Sequence, residues 1–219
     1  MPATATKAKK KPDTVIEKKR LKPRAQRLAP EARKAQLLET AIRVFAAEGI
    51  SHSNHSQIAK QAGVSLASVF AYFPTHEDLT RAVLKEVSRF MLEELVKANQ
   101  QGTEDALSSI ENTLIGFSDM IDHPRHCDYA KVWFDWSTAI RESTWPLYLE
   151  HHVKVLKVFE TTLRRGKTAG EVQDSVKEKD AAWVLVGVGH MIAHMKFAGE
   201  SKLRIVRTID QLVRSYFHT

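Results

Sequence analysis

The chain of 219 residues has a single cysteine, Cys127, so no intrachain disulfide can form and packing must hold the fold. Nine glycines and seven prolines are too few to punctuate the many turns of an all-β protein. The longest apolar run, AAWVLVGVGHMIAHMKFAG at 181–199, is interrupted by His190, His194 and Lys196, which favours a buried or dimer-forming helix over a membrane span. No apolar segment follows the basic N-terminus, so a secretory signal is not expected and the protein is expected in the cytoplasm. HExxH, GxSxG, P-loop and CxxC motifs are all missing, and the lone GxG at Gly187 to Gly189 lies inside an apolar stretch. An enzyme is not expected, nor is a cofactor.

What the chain does have is enough hydrophobic residues, 43%, for a real core, and a formal charge of +7 that is unevenly placed. Residues 1–28 hold ten basic side chains against Asp13 and Glu17, while the rest of the chain sums to −1. Rich in Lys, Ala, Thr and Pro, this stretch reads as a flexible arm, and a basic arm on a near-neutral body points to an anionic polymer or surface as partner.

Beyond the arm the apolar spacing is helical throughout, which predicts an all-α fold of about nine helices. The first helix is expected from Pro30 to about Glu48, with Leu37, Ala41, Val44 and Phe45 on its inner face and Gly49 as its stop. A short helix opening at Asn54 or His55 ends at Gly63, and Ser65 caps a third that ends before Pro74. Thr75 and Asp78 have the spacing of a capping box opening a long helix to about Asn99. Further helices are predicted over 104–121, 127–140, 146–165, 179–198 and 202–217, with Gly166 and Gly170 among the breaks. This suggests three parts: an arm at 1–28, a three-helix head at 29–75 and a helical body at 76–219.

Residues 56–73, SQIAKQAGVSLASVFAYF, carry the functional signal. Gly63 permits the positive φ of a tight turn between two short helices, and Val64 can fill the angle between them. In the second helix Leu66, Val69, Phe70 and Phe73 are expected to face the core, leaving Ala67, Ser68, Ala71 and Tyr72 outward. A short helix with small side chains, hydroxyls and no acid on its outer face can enter the major groove of DNA.

The combination of AGVS with VFAYFPTHEDL resembles the signature of the TetR family, and AKVWFDWSTAIRESTWPLY at 130–148 resembles the body of its vibrio quorum-sensing master regulators, the LuxR, HapR and SmcR group. The resemblance implies a homodimer on a pseudo-palindromic operator, with repression or activation set by operator position. It implies arm arginines in the minor groove at Arg24 and Arg27, and Ser53, Asn54 and Ser56 at a helix N-terminus that binds phosphate. Ser65, Ala67, Ser68, Ala71, Tyr72 and His76 complete the expected DNA-binding set. Ala71 stands where the group usually carries a base-contacting Asn, and His76 where it carries a basic residue, so arm contacts and DNA shape are expected to supply much of the specificity.

The resemblance also implies dimerisation through the last two helices, here with Trp183, Val184, Gly187, Met191, Ile205, Ile209 and Leu212 at the interface. It places a pocket for a small hydrophobic ligand at Met91, Leu95, Trp133, Phe134, Trp136, Tyr148, Leu156 and Val188, residues that would otherwise simply fill the core. At the positions of His152, Leu156 and Gly189 the vibrio proteins carry other residues, so their ligands do not transfer. Neither His190 with His194 nor His123, His126 and Cys127 come with a further ligand at recognisable spacing, and no metal is expected. The competing reading is a non-specific nucleic-acid-binding protein acting through the basic arm alone. Membrane attachment by that arm is disfavoured, because it lacks large apolar residues and a lipidation motif.

Overall fold

The computed structural model describes residues 29–100 and 105–217, and among these it forms nine α-helices and no strand. They are α1 (Pro30–Glu48), α2 (His55–Ala62), α3 (Leu66–Tyr72), α4 (His76–Gln100), α5 (Ala106–Asp122), α6 (Cys127–Thr138), α7 (Trp145–Thr168), α8 (Glu178–Phe197) and α9 (Lys202–Phe217). The expected arm, with Arg24 and Arg27, lies outside the described residues. Among the described residues no helix is long and apolar enough to cross a membrane.

Local chemistry explains the first boundaries. Pro30 starts α1 and Gly49, at φ 84°, stops it. Asn54 accepts from the Gln57 N–H at 3.1 Å while the Gln57 side chain accepts from the Asn54 N–H at 2.8 Å, a reciprocal box that fixes the start of α2 at His55. Gly63 takes the left-handed conformation, at φ 67° and ψ 33°, and lets the chain turn straight into α3. Thr75 and Asp78 make the anticipated box at α4, Asp78 N–H donating to Thr75 Oγ1 at 3.0 Å and Thr75 N–H donating to Asp78 Oδ2 at 3.2 Å.

One expected break is not a break. Gly166 lies within α7, where a Cβ would stand 2.7 Å from both Ala106 Cβ and Val172 Cγ2. It allows α7, the start of α5 and the 169–177 turn to meet, so its role is close approach rather than termination, and the helix runs on to Thr168.

Two apolar cores form. The first joins α1 to α3 with the N-terminal part of α4, α6 and the start of α7, centred on Phe45, Ile58, Leu79, Val83 and Trp136. The second joins α5, α7, α8 and α9 around Ile110, Leu163, Leu185, Ile192 and Phe217. Helix α4 contributes Leu79 to Met91 to the first core, and Leu95 packs against the second, so one rigid rod connects the two.

Candidate DNA-binding face and body cavity

The outer face of the head is built on α2 and α3. Val69 and Phe73 anchor α3 in the first core, whereas Leu66 and Phe70, expected to join them, are more than 40% exposed. Only seven residues long, α3 turns a narrow strip inward, and the Phe70 ring stacks on His55 at 4.4 Å instead. His55 is buried and donates from Nε2 to the Phe73 carbonyl at 2.8 Å, tying the start of α2 to the end of α3.

Ser65, Ala67 and Ala71 are exposed, and Ser68 and Tyr72 half-buried. Ser65 Oγ accepts from the Ser68 N–H at 3.2 Å, and the two hydroxyls share a hydrogen bond of 2.8 Å, which leaves one hydroxyl proton able to point outward. Asn54 and Ser56 are exposed at the start of α2. Two expected contacts go elsewhere. Ser53 is buried and donates its hydroxyl to the Gly49 carbonyl at 2.7 Å. His76 donates from Nε2 to the Ser53 carbonyl at 2.8 Å, with Nδ1 3.4 Å from Thr80 Oγ1, so this ring pins α4 to the loop before α2.

A strut from the body meets the head at the end of α1. Asp135 Oδ2 accepts from the Ile50 N–H at 2.8 Å, and its Oδ1 accepts from Arg141 at 3.0 Å. Asp135 is missing from the sequence-based set because its partner is a backbone N–H eighty-five residues away.

Between α4, α5, α6, α7 and α8 lies a cavity of about 150 Å³. Met91, Leu95, Trp133 and Tyr148 line it, as expected. Phe134, Trp136, Leu156 and Val188 do not. Neighbours on a helix point about 100° apart, so beside Trp133 the Phe134 ring turns to His194 and Phe197 on α8, at 4.9 and 5.8 Å. Trp136 is fully buried in the first core, its indole N–H donating to the Thr144 carbonyl at 3.3 Å. Leu156 and Val188 belong to the second core, while Val155, Phe159, Leu185 and Gly189 take the wall positions.

His151 and His152, both buried, also line the cavity. Burial, aided by His152 and Lys154, pushes the His151 pKa down to about 4, and its Nδ1 lies 3.0 Å from Ser88 Oγ. Burial and His190 push His152 below its ordinary value. The His152 Nε2 has no hydrogen-bond partner among the described residues. The other histidines have neighbours within the chain: the His190 ring nitrogens lie 3.0 Å from the Val186 carbonyl and 3.0 Å from Ser137 Oγ, and His123 stacks on His126 at 4.0 Å. Burial, then the charge of His123, lowers the His126 pKa.

The expected dimer face divides. Trp183 is 58% exposed, and Val184 and Gly187 lie beside it on the outside of α8, with Met191 and Leu212 half-buried. Ile205 and Ile209 are wholly buried in the second core of their own chain and cannot meet a partner. The apolar stripe of α9 is thus taken by α5, with which it packs closely.

Comparison with known proteins agrees with this architecture. The family model described as bacterial regulatory proteins, tetR family, matches residues 37–83, from the inner face of α1 into α4. The HTH-type transcriptional regulator LuxR of Vibrio harveyi is 32% identical over 190 residues, covering 87% of this chain and 89% of that protein. The chain therefore belongs to the TetR family: it is a DNA-binding transcriptional regulator, of a family whose members bind DNA as dimers. Solved structures share the fold at lower identity. A protein of Saccharomonospora viridis in complex with choline has a TM-score of 0.73 at 20% identity, covering 87% of this chain and 100% of that one. The transcriptional regulator FadR of Bacillus subtilis, in complex with stearoyl-CoA, has a TM-score of 0.69 at 20% identity, covering 84% and 99%.

Proposed function

We propose that the protein is a quorum-sensing-related regulator without catalytic activity, acting in the cytoplasm as a homodimer on a pseudo-palindromic operator, and modulated by a small apolar ligand. The observation that supports this most is the outer face of α3, where Ala67, Ser68 and Ala71 present small side chains and no acid beside the capped start of α2. Such a face fits the major groove without repelling phosphate. Asn54, Ser56 and Tyr72 take phosphate contacts, while Arg24 and Arg27 enter the minor groove. With no Arg, Gln or Asn on the outer face of α3, direct base readout is sparse, and DNA shape supplies much of the discrimination. Residues 29–75 act as the DNA-reading head and 76–219 as the sensing and dimerising body.

Trp183, Val184, Gly187 and Met191 form the core of the partner surface on α8. The cavity supports the ligand reading, since it is largely apolar and walled partly by α4, the helix that also enters the core of the head. The test is selection of genomic fragments by the full chain at about 150 mM salt, near physiological ionic strength. A recurrent pseudo-palindrome with half-sites about one helical turn, or a multiple of it, apart is expected. Featureless enrichment with steep salt dependence would instead make the protein a non-specific binder acting through its basic arm.

A further inference from the structure

The body cavity is not uniformly apolar, and the polar groups around it are unequally provided for. The Thr113 hydroxyl donates to the Ser109 carbonyl at 2.7 Å and accepts from Asn99 at 3.2 Å. His151 has Ser88 within 3.0 Å, and Glu94 and Lys97 pair with each other at 3.7 Å. The His152 side chain is different: it is 7% exposed, it lines the cavity, and its Nε2 has no partner among the described residues. The ring is held in place, stacked on Tyr148 at 5.7 Å and against Trp183 at 4.4 Å. A buried polar atom held rigidly without a partner is costly unless something else supplies one.

We propose that the cavity receives a small, uncharged, single-ring molecule bearing one hydroxyl, which pairs with Nε2 of His152. This rests on the reading of the body as ligand-modulated. The volume of about 150 Å³ sets the size, because an apolar void of roughly that volume accommodates a benzene ring. Met91, Leu114, Phe117, Trp133 and Leu185 supply apolar wall for the ring. The absence of charge follows from the lining: Glu94 and Lys97 neutralise one another, and burial favours the neutral form of both histidines. A charged ligand would therefore lose its hydration and gain no counter-charge. A hydroxyl both donates and accepts, so it satisfies Nε2 in either imidazole tautomer. An aldehyde, a ketone or a simple hydrocarbon does not.

The experiment is calorimetric titration of the full-length protein, without DNA, with 4-methylphenol, toluene and benzoate. The wild type is expected to bind 4-methylphenol roughly tenfold more tightly than toluene, the worth of one buried hydrogen bond, and benzoate weakest. His152→Leu keeps toluene binding and loses the preference for the phenol; His152→Gln, which retains a polar atom, restores part of it. Equal affinity of the wild type for toluene and 4-methylphenol, tighter binding of benzoate, or no binding of any probe overturns the inference. The wild-type comparison decides alone if a variant fails to fold. A parallel titration of operator DNA with 4-methylphenol separates this inference from the regulatory reading. Binding through His152 with unchanged DNA affinity leaves the ligand class standing and removes the modulation. Normal operator binding with no probe bound removes the ligand class and leaves the DNA-binding regulator standing.

Discussion

Replacing Asp135 by alanine removes a side chain whose Oδ2 joins the body to the end of α1 and whose Oδ1 is held by Arg141 within the body. Its Oδ2 holds the Ile50 N–H at 2.8 Å, and Ile50 itself is buried behind Gly49, whose positive φ aims the chain at α6. Truncation strands that N–H, and a hydrogen bond to a charged acceptor is worth about 1.5–3 kcal/mol. The Arg141 partnership adds little, about 0.5 kcal/mol, because both side chains are a quarter to a third exposed. The expected loss is therefore roughly 2–3 kcal/mol, or about 5–10 °C in Tm for a chain of this size. Asp135→Asn keeps a neutral acceptor and should lose about 1 kcal/mol. Urea unfolding at fixed protein concentration, with helicity as the signal, reads both variants. If Asp135→Ala lies within about 0.5 kcal/mol of wild type, or the asparagine variant falls as far as the alanine one, the strut is not what the geometry suggests.

Three further outcomes are expected. His151 is held neutral in the fold, with its pKa down at about 4, while the unfolded chain titrates near its ordinary 6.5. The unfolded state thus binds the extra proton first, and this contribution is complete above pH 6.5 and shrinks as pH falls towards 4, by about 3 kcal/mol in all. The stability difference between wild type and His151→Phe, measured from pH 7 to pH 4, should narrow accordingly; a constant difference would show that burial does not hold the ring neutral. Trp183→Arg places charge on the outer face of α8 and should weaken the dimer about tenfold or more in sedimentation, and an unchanged constant would move the interface elsewhere. Deleting residues 1–28 should flatten the dependence of operator affinity on salt by several logarithmic units and reduce discrimination between operator and random DNA; undiminished discrimination would argue against arm and shape readout.

The head was readable because its determinants are local. Gly49, Gly63, Ser65 and the Thr75 and Asp78 pair each act within a few residues, and every one stands where the spacing implied. What escaped depends on which distant element covers a given face. The stripe of Ile205 and Ile209 has the same period whether α5 of its own chain or a second chain lies against it, and α5 does. Leu66 and Phe70 have core spacing, but a seven-residue helix turns too little surface inward to bury them. Gly166 carries no local mark distinguishing a helix end from a close crossing. In the sequence His152 stands out only as a point of difference from the resembling group, since an unpaired nitrogen emerges only once five helices have closed around it.

Two faces of helix α8 lie close together in the chain. Leu185, Val186 and Gly189 wall the cavity, while Trp183, Val184 and Gly187 stand outside, only one or two positions away in the chain. Trp183 and His152 touch across the seam between the two. A designer who wished to give this scaffold a new effector, or make it pair with a different subunit, would find these tasks inseparable here. With the partner surface and ligand site proposed above, residues altered for one sit within a single turn of those serving the other, so libraries would have to randomise both faces together, selecting for assembly and response in the same round.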